Sequence, residues 1–420
     1  MRKSRGIVVL VLVIFFVLSL LTNILGPIVP DIISSFHVSL AAAAFLPFSF
    51  FIAYGLMSIP VGFLVDRFSE KPVMVGSFIA ALTGALSFAL IPTYAVAVVS
   101  LFVIGTGMAA LQVAINPLLR VAGGEEHFAF NSACAQLVFG VASFLSPLIF
   151  SYLVENLSAH NASGPLLRTL AMITPPNLPW VSIYWIFAVC AAVMVAVLIA
   201  VRLPKVERTG DEQAGTTDMY RSLLRKPMVW LFFGTMFAYV ASEQGTADWM
   251  SKFLSQYHGF DPHATGAKAV SWFWGLMTIG CLGGMGLFKL FDSRKVLIVF
   301  SMGALACLTA ALFGPARISL YAFPAIGFFA SVMWPTIVSL GLNSVAEYHG
   351  SFAGILCTGI MGGAVGPFVI GSLGDVFGLR AGMLVLYVTF GCVLSVGFWA
   401  RPIIRNKTIR AHEVEAPAAC

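Results

Sequence analysis

The ten residues GFLVDRFSEK, positions 62–71, decide how the chain is read. They carry the spacing Gly-x3-Asp-Arg-x3-Lys and stand between two apolar runs, 41–64 and 73–93. A helix needs about 20 apolar residues to cross a hydrocarbon layer of ~30 Å. Both runs meet that length, so the pair predicts two membrane helices joined by a short charged turn. Working outward, runs of the same kind fall at 7–28, 95–119, 130–153 and 180–202, then at 229–256, 268–290, 296–314, 317–342, 352–374 and 381–401. An all-α membrane protein of twelve helices, six and six, is predicted.

Composition agrees. The 420 residues are 59% hydrophobic and only 10% charged, with a mean hydropathy of +0.93. That balance excludes a soluble globular enzyme. The net charge of +6 is a matter of topology rather than of nucleic-acid binding. With the N-terminus inside, nineteen of the 24 Lys and Arg residues fall on the inner side. The outer side keeps Arg168, Lys252, Lys268, Arg317 and Arg380. This bias predicts both termini in the cytoplasm. Arg2, Lys3 and Arg5 before the first run look like the start of a signal peptide, but that run continues past Ile24 with no small-residue cleavage site. A retained first helix is expected.

Between the two sets of runs, 203–226 is rich in charge and poor in large apolar residues, which marks a solvated linker. The expected units are therefore 1–202, a linker at 203–226, 227–402, and a tail at 403–420. The two halves also echo each other. SPLIFSYLVE at 146–155 aligns with GPFVIGSLGD at 366–375 at an offset of 220, and Glu125-Glu-His127 with Glu347-Tyr-His349 at 222. Residues 62–71 align with Gly286 and Lys295 at 224. Three matches at nearly one offset predict an internal duplication, with a central cavity between parallel six-helix repeats.

Taken together, the Gly62-x3-Asp66-Arg67-x3-Lys71 loop, the twelve runs and the duplication resemble the major facilitator superfamily. Within it, the chain is similar to the fucose permease-like sugar:cation symporters through NILGPIVPDI (23–32), QVAINPLLRVAG (112–123) with Asn131, YVASEQGTADW (239–249) and FASVMWPTIVSLGL (329–342). This resemblance implies a transporter that imports a neutral, hexose-like sugar with a proton or sodium by alternating access, as a monomer in a bacterial inner membrane. It implies that Asp66, Arg67 and Lys71 act as a conformational switch. The family's fucose branch has carboxylates where this chain has Asn23 and Gln112, neither of which titrates.

Only Glu243 and Asp248 place acids well inside a predicted span, where charge costs several kcal/mol. Glu243 is the candidate coupling group, taking a proton on one side and releasing it on the other. A structural carboxylate or a sodium ligand are the alternatives. Asp248 is the secondary candidate. Sugar recognition needs flat apolar walls and groups that donate and accept hydrogen bonds at once. Asn23, Gln112, Asn116, Asn131, Gln136 and Gln244 supply the amides, and Trp249, Trp272 and Trp334 the walls. Six of the seven cysteines lie in apolar runs without CxxC spacing, and no P-loop, HExxH or nucleophile elbow occurs. No cofactor, resident metal or enzyme chemistry is expected. An uncoupled sugar facilitator and a drug or lipid exporter remain the alternative functions.

Overall fold

The computed structural model describes residues 5–123, 128–158, 163–203, 217–345 and 348–400. Their secondary structure is helical, with no strand among the described residues. The first predicted span is two helices, α1 (Arg5–Thr22) and α2 (Leu25–Phe36). Then follow α3 (Leu40–Phe68), α4 (Glu70–Leu90), α5 (Tyr94–Gly123), α6 (Phe128–Ser158), the short α7 (Pro165–Ile173) and α8 (Ser182–Ala200). A small helix α9 (Thr217–Leu224) precedes α10 (Pro227–His258), α11 (Ala267–Leu290) and α12 (Ser293–Phe313). The tenth predicted span is again divided, into α13 (Ala316–Ala330) and α14 (Met333–Leu342). The eleventh runs through α15 (His349–Thr358) and α16 (Gly362–Phe377), and the last through α17 (Leu379–Gly382) and α18 (Val385–Trp399).

Two of these breaks have one cause. Proline lacks the N–H that the carbonyl four residues earlier would receive, and its ring crowds that carbonyl. Pro27 sits four residues after Asn23, and Pro335 four after Ser331, where α1/α2 and α13/α14 divide. The freed Ser331 carbonyl accepts the Cys281 thiol at 3.3 Å.

Eleven of the predicted spans are helical stretches long and apolar enough to cross a membrane. The run predicted at 229–256 is not among them by composition, although α10 has 32 residues. Ser242, Glu243, Gln244, Thr246, Asp248 and Ser251 make its middle too polar. Protein surrounds it instead: nearly every residue from Ala238 to Leu254 is buried, and α2, α11, α13, α14, α16 and α18 pack against it. Polar side chains survive in such a helix because its neighbours, not lipid, face them.

Two connections between predicted spans carry structure. The segment between the runs 130–153 and 180–202 contains α7, which buries Leu167 and Leu170. The linker contains α9, with Leu223 buried. Both are short amphipathic helices whose apolar residues recur at helical spacing, a pattern that their polar surroundings obscured. Residues 204–216, the tail at 403–420, the matches at 125–127 and Glu347, and the side chains of Asp66 and Asn116 lie outside the described residues.

The first eight helices meet the later ones along α3 with α16, α6 with α11, and α2 with α10. Among the described residues, the hydrogen bonds that join them gather toward one end, the Asp375 face. The Asp375 carboxylate oxygens accept the first N–H groups of α3, from Leu40 at 2.8 Å and Ala41 at 2.9 Å. The Ser39 hydroxyl accepts the next, from Ala42 at 3.2 Å. Three N–H groups with no partner inside the helix are thereby satisfied. His263 reaches Asp31 of α2 at 2.9 Å, and Ser271 donates to the Phe144 carbonyl at 2.6 Å. Gly26 is pressed so close to α10 that a Cβ there would collide with the Ala247 carbonyl oxygen. The bundle is closed at this face.

Candidate functional site

Glu243 lies sixteen residues into α10, roughly 24 Å along an axis of roughly 48 Å at 1.5 Å per residue. It is half-buried and faces Tyr239, one turn earlier on the same side of the helix, whose phenol interacts with its carboxyl. The Tyr239 ring packs against Trp334 of α14, with centroids 6.1 Å apart and planes tilted by 59°. Cys281 of α11 lies within electrostatic reach of both Glu243 and Tyr239. A carboxyl, a phenol, an indole and a thiol thus converge beside the α13/α14 break. They offer an acceptor, two donors and a flat apolar wall.

The other predicted residues disperse. Asn23 is buried at the α1/α2 break, where its amide nitrogen donates to Ser143 at 2.8 Å and to Ser19 at 3.4 Å. Ser19 in turn donates to the Phe139 carbonyl at 2.6 Å, and Ser146 to the Leu20 carbonyl at 2.9 Å. These contacts form a polar seam between α1 and α6. Gln244 is buried where α10 meets Gly363 of α16. Trp249 is fully buried, its indole N–H donating to the Pro367 carbonyl at 3.0 Å. It therefore fills the α10/α16 contact rather than an open wall. Trp272 is half-exposed and stands edge-on to Phe144 at 5.5 Å. Gln112 on α5 and Asn131 at the start of α6 are half-buried, and Gln136 is exposed. Asp248 is buried, and its Oδ2 has no hydrogen-bond partner.

In the charged turn, Arg67 is exposed and lies over the Phe68 ring at 5.3 Å. Lys71 donates to the Ile199 carbonyl at 3.0 Å and the Val201 carbonyl at 2.8 Å. Its ammonium therefore caps the end of α8, where the helix dipole favours a cation. Two pockets open elsewhere on the bundle, of about 320 Å³ beside Gly84 and Val99 and about 400 Å³ beside Phe63 and Trp230. No predicted site residue lines either one.

Sequence reasoning passed over Tyr239 and Cys281. Tyr239 had a usable signal, since i and i+4 share a helix face and a phenol there can reach a carboxylate. Cys281 had none, because its proximity comes from the α10/α11 contact. The Asp375 cap was also legible in part: Gly371-x3-Asp375 repeats the spacing of Gly62-x3-Asp66.

Membrane-length helices packed around one polar helix, closed at one face and broken at prolines near midspan, define a polytopic membrane protein of the transporter class. The family model described as Major Facilitator Superfamily matches residues 11–367, and the chain belongs to that superfamily. It is 27% identical over 397 residues to the glucose/galactose transporter of Brucella abortus biovar 1 (strain 9-941), covering 91% of each chain. It is 28% identical to the L-fucose-proton symporter of Escherichia coli (strain K12), covering 87% of this chain and 86% of that one. The crystal structure of FucP in the outward conformation shares the fold, with a TM-score of 0.68 at 20% identity over 95% of this chain and 100% of that one.

Proposed function

We propose that the protein imports a neutral hexose together with a proton by alternating access. The single observation that carries this reading is the Glu243–Tyr239–Trp334 cluster at midspan. It joins one titratable group to a sugar-sized aromatic wall, so that binding of proton and sugar meet at one place. The relatives named for glucose, galactose and L-fucose transport support the sugar class. Proton coupling draws its support from the relative named as a proton symporter and from the chemistry around Glu243. A hard cation such as sodium is held by several oxygen ligands. Among the described residues, a hydroxyl and a thiol interact with the Glu243 carboxyl, and these suit a proton better.

In this reading α10 is the twelfth span, residues 1–202 and 227–402 are the two moving bundles, and the protein works as a monomer in a bacterial inner membrane. The 19 to 5 distribution of Lys and Arg puts the Asp66 face in the cytoplasm and the Asp375 face outside. The closed Asp375 face then corresponds to an inward-facing protein. Asp66, Arg67 and Lys71 change partners as the bundles rock, with Lys71 leaving or keeping the end of α8.

One observation favours an uncoupled facilitator: Asn23 stands where a carboxylate is expected, and its amide is occupied by Ser143 and Ser19. A single experiment separates the two. Purified protein in liposomes is given labelled glucose, galactose and fucose with and without an imposed inward proton gradient. Wild type is expected to accumulate sugar above equilibrium only with the gradient, and Glu243→Gln to equilibrate sugar without accumulating it. Gradient-independent equilibration, the same in both proteins, would overturn coupling; no sugar uptake in either would overturn the substrate class.

A further inference from the structure

Asp248 does not fit the coupling role set beside Glu243. It is five residues further along α10, 2% exposed, and its Oδ2 is buried without a hydrogen-bond partner. At this level α2 of the other bundle packs directly on the α10 backbone. A Cβ on Gly26 of α2 would meet the Ala247 carbonyl oxygen and lie 3.3 Å from the Asp248 Cα. Because α2 is a separate helix, divided from α1 at Asn23-Ile24, it can swing without dragging the rest of its span. The α2–α10 contact beside Asp248 is part of the same closure as the His263–Asp31 and Asp375–α3 contacts.

An unpaired carboxylate in such packing costs several kcal/mol, whereas the neutral acid costs far less. We propose that Asp248 is a proton-operated latch of the outer gate. As α2 closes, the carboxylate takes one proton from the outer solution and an O–H bond forms. As α2 withdraws, that bond breaks and the proton returns to the same solution. No net proton crosses the membrane through Asp248. It sets how readily the gate closes, so outer acidity favours closure, and Glu243 keeps the coupling role. The latch rests on the proposed topology, but not on the identity of the sugar.

Other titratable groups stand on α10 and on the elements packed against it. On α10 itself they are Glu243 and Lys252; Lys252, one turn on, is half-buried and forms no ion pair with Asp248. From α2 comes Asp31, and from the segment entering α11 come Asp261, His263 and Lys268. The end of α16 contributes Asp375. The His263–Asp31 pair is strongest when both partners are charged, so loss of the His263 proton on the alkaline side loosens that contact in the same direction as the Asp248 latch, while protonation of Asp31 in strong acid loosens it in the opposite direction. A test must separate the two.

Hydrogen–deuterium exchange of the full chain in lipid nanodiscs, without sugar, at pH 5.5 and 8.5 and corrected for intrinsic exchange rates, does so. The readouts are peptides spanning 24–43 and 244–263. In wild type, exchange in both is expected to rise about tenfold at pH 8.5, since one unit of difference in proton affinity between open and closed states is a tenfold change. Asp248→Asn, neutral at every pH, should stay slow at both. Gly26→Ala, whose Cβ keeps α2 away from Ala247, should be fast at both. His263→Gln should retain the pH-dependent rise. A wild type with no pH dependence, or an Asp248→Asn protein with the wild-type dependence, would overturn the latch. If Asp248→Asn fails to fold, the flat, fast profile of Gly26→Ala decides, and a wild-type profile there would equally overturn it. Uptake by wild type is measured separately, so failure of sugar transport and failure of the latch are distinct results.

Discussion

Glu243 and Tyr239 show how much one helical turn can specify. The pair is formed within α10, so its geometry depends little on neighbouring helices. Trp334 is different, because it reaches Tyr239 only through the contact of α14 with α10. Tyr239→Phe keeps the ring packing and deletes the hydroxyl that stands beside the Glu243 carboxyl. A hydrogen bond to a charged group is worth about 1.5–3 kcal/mol, so gradient-driven uptake is expected to fall by up to about a hundredfold while passive sugar exchange persists. Trp334→Ala removes the wall instead. Its expected signature is a raised half-saturation concentration for sugar with the proton requirement unchanged, read from uptake at graded sugar concentrations. The amides show where residue-level reading stops. Asn23 is chemically suited to a sugar, yet it spends its donor on the α1/α6 seam, and nothing in its local sequence says which helix supplies Ser143.

At the scale of elements, proline placement was the most readable feature. Pro27 and Pro335 each open their helix four residues upstream, as the missing N–H requires. Pro335→Ala should let the Ser331 carbonyl rejoin the helix. The expected outcome is slower amide exchange across 331–335 and slower transport, with a melting temperature equal to or above wild type. Lys71 illustrates the opposite case. Its position in a charged turn was plain, but its attachment to the last carbonyls of α8 was not, because α4 and α8 meet only in the folded bundle. Lys71→Ala is expected to lower stability by about 1 kcal/mol, the scale of a helix-end interaction, measured as a small drop in melting temperature in detergent. The composition of α10 misleads in an instructive way. Scored for lipid it fails as a span, and the reason is that protein, not lipid, surrounds it.

For the whole molecule, closure at the Asp375 face is the property that matters most. Asp375 ties the end of α16 to the start of α3 with two bonds from backbone N–H groups to a carboxylate. Asp375→Asn keeps the shape and halves the acceptor capacity. With charge-assisted bonds near 1.5–3 kcal/mol, the closed population is expected to fall about tenfold or more, measured as faster amide exchange at 39–43 with little change at 331–335. Unchanged exchange at 39–43 would show that helix packing alone closes this face.

Apolar run length determined the helices and most of their boundaries, because hydrocarbon demands long unbroken helices whatever packs beside them. The charged turn at 62–71, the proline offsets and the two intramembrane acids were legible for the same reason: each depends on covalent spacing within one helix. Tertiary structure alone decided which face is closed, that Trp249 and Asn23 spend their polar atoms on helix contacts, that Cys281 and Trp334 converge on Tyr239 and Glu243, and that α2 packs on α10 beside Asp248. Those are contacts between residues far apart in the chain. They are fixed by how helices cross, and an apolar surface facing lipid looks the same in sequence as one facing another helix.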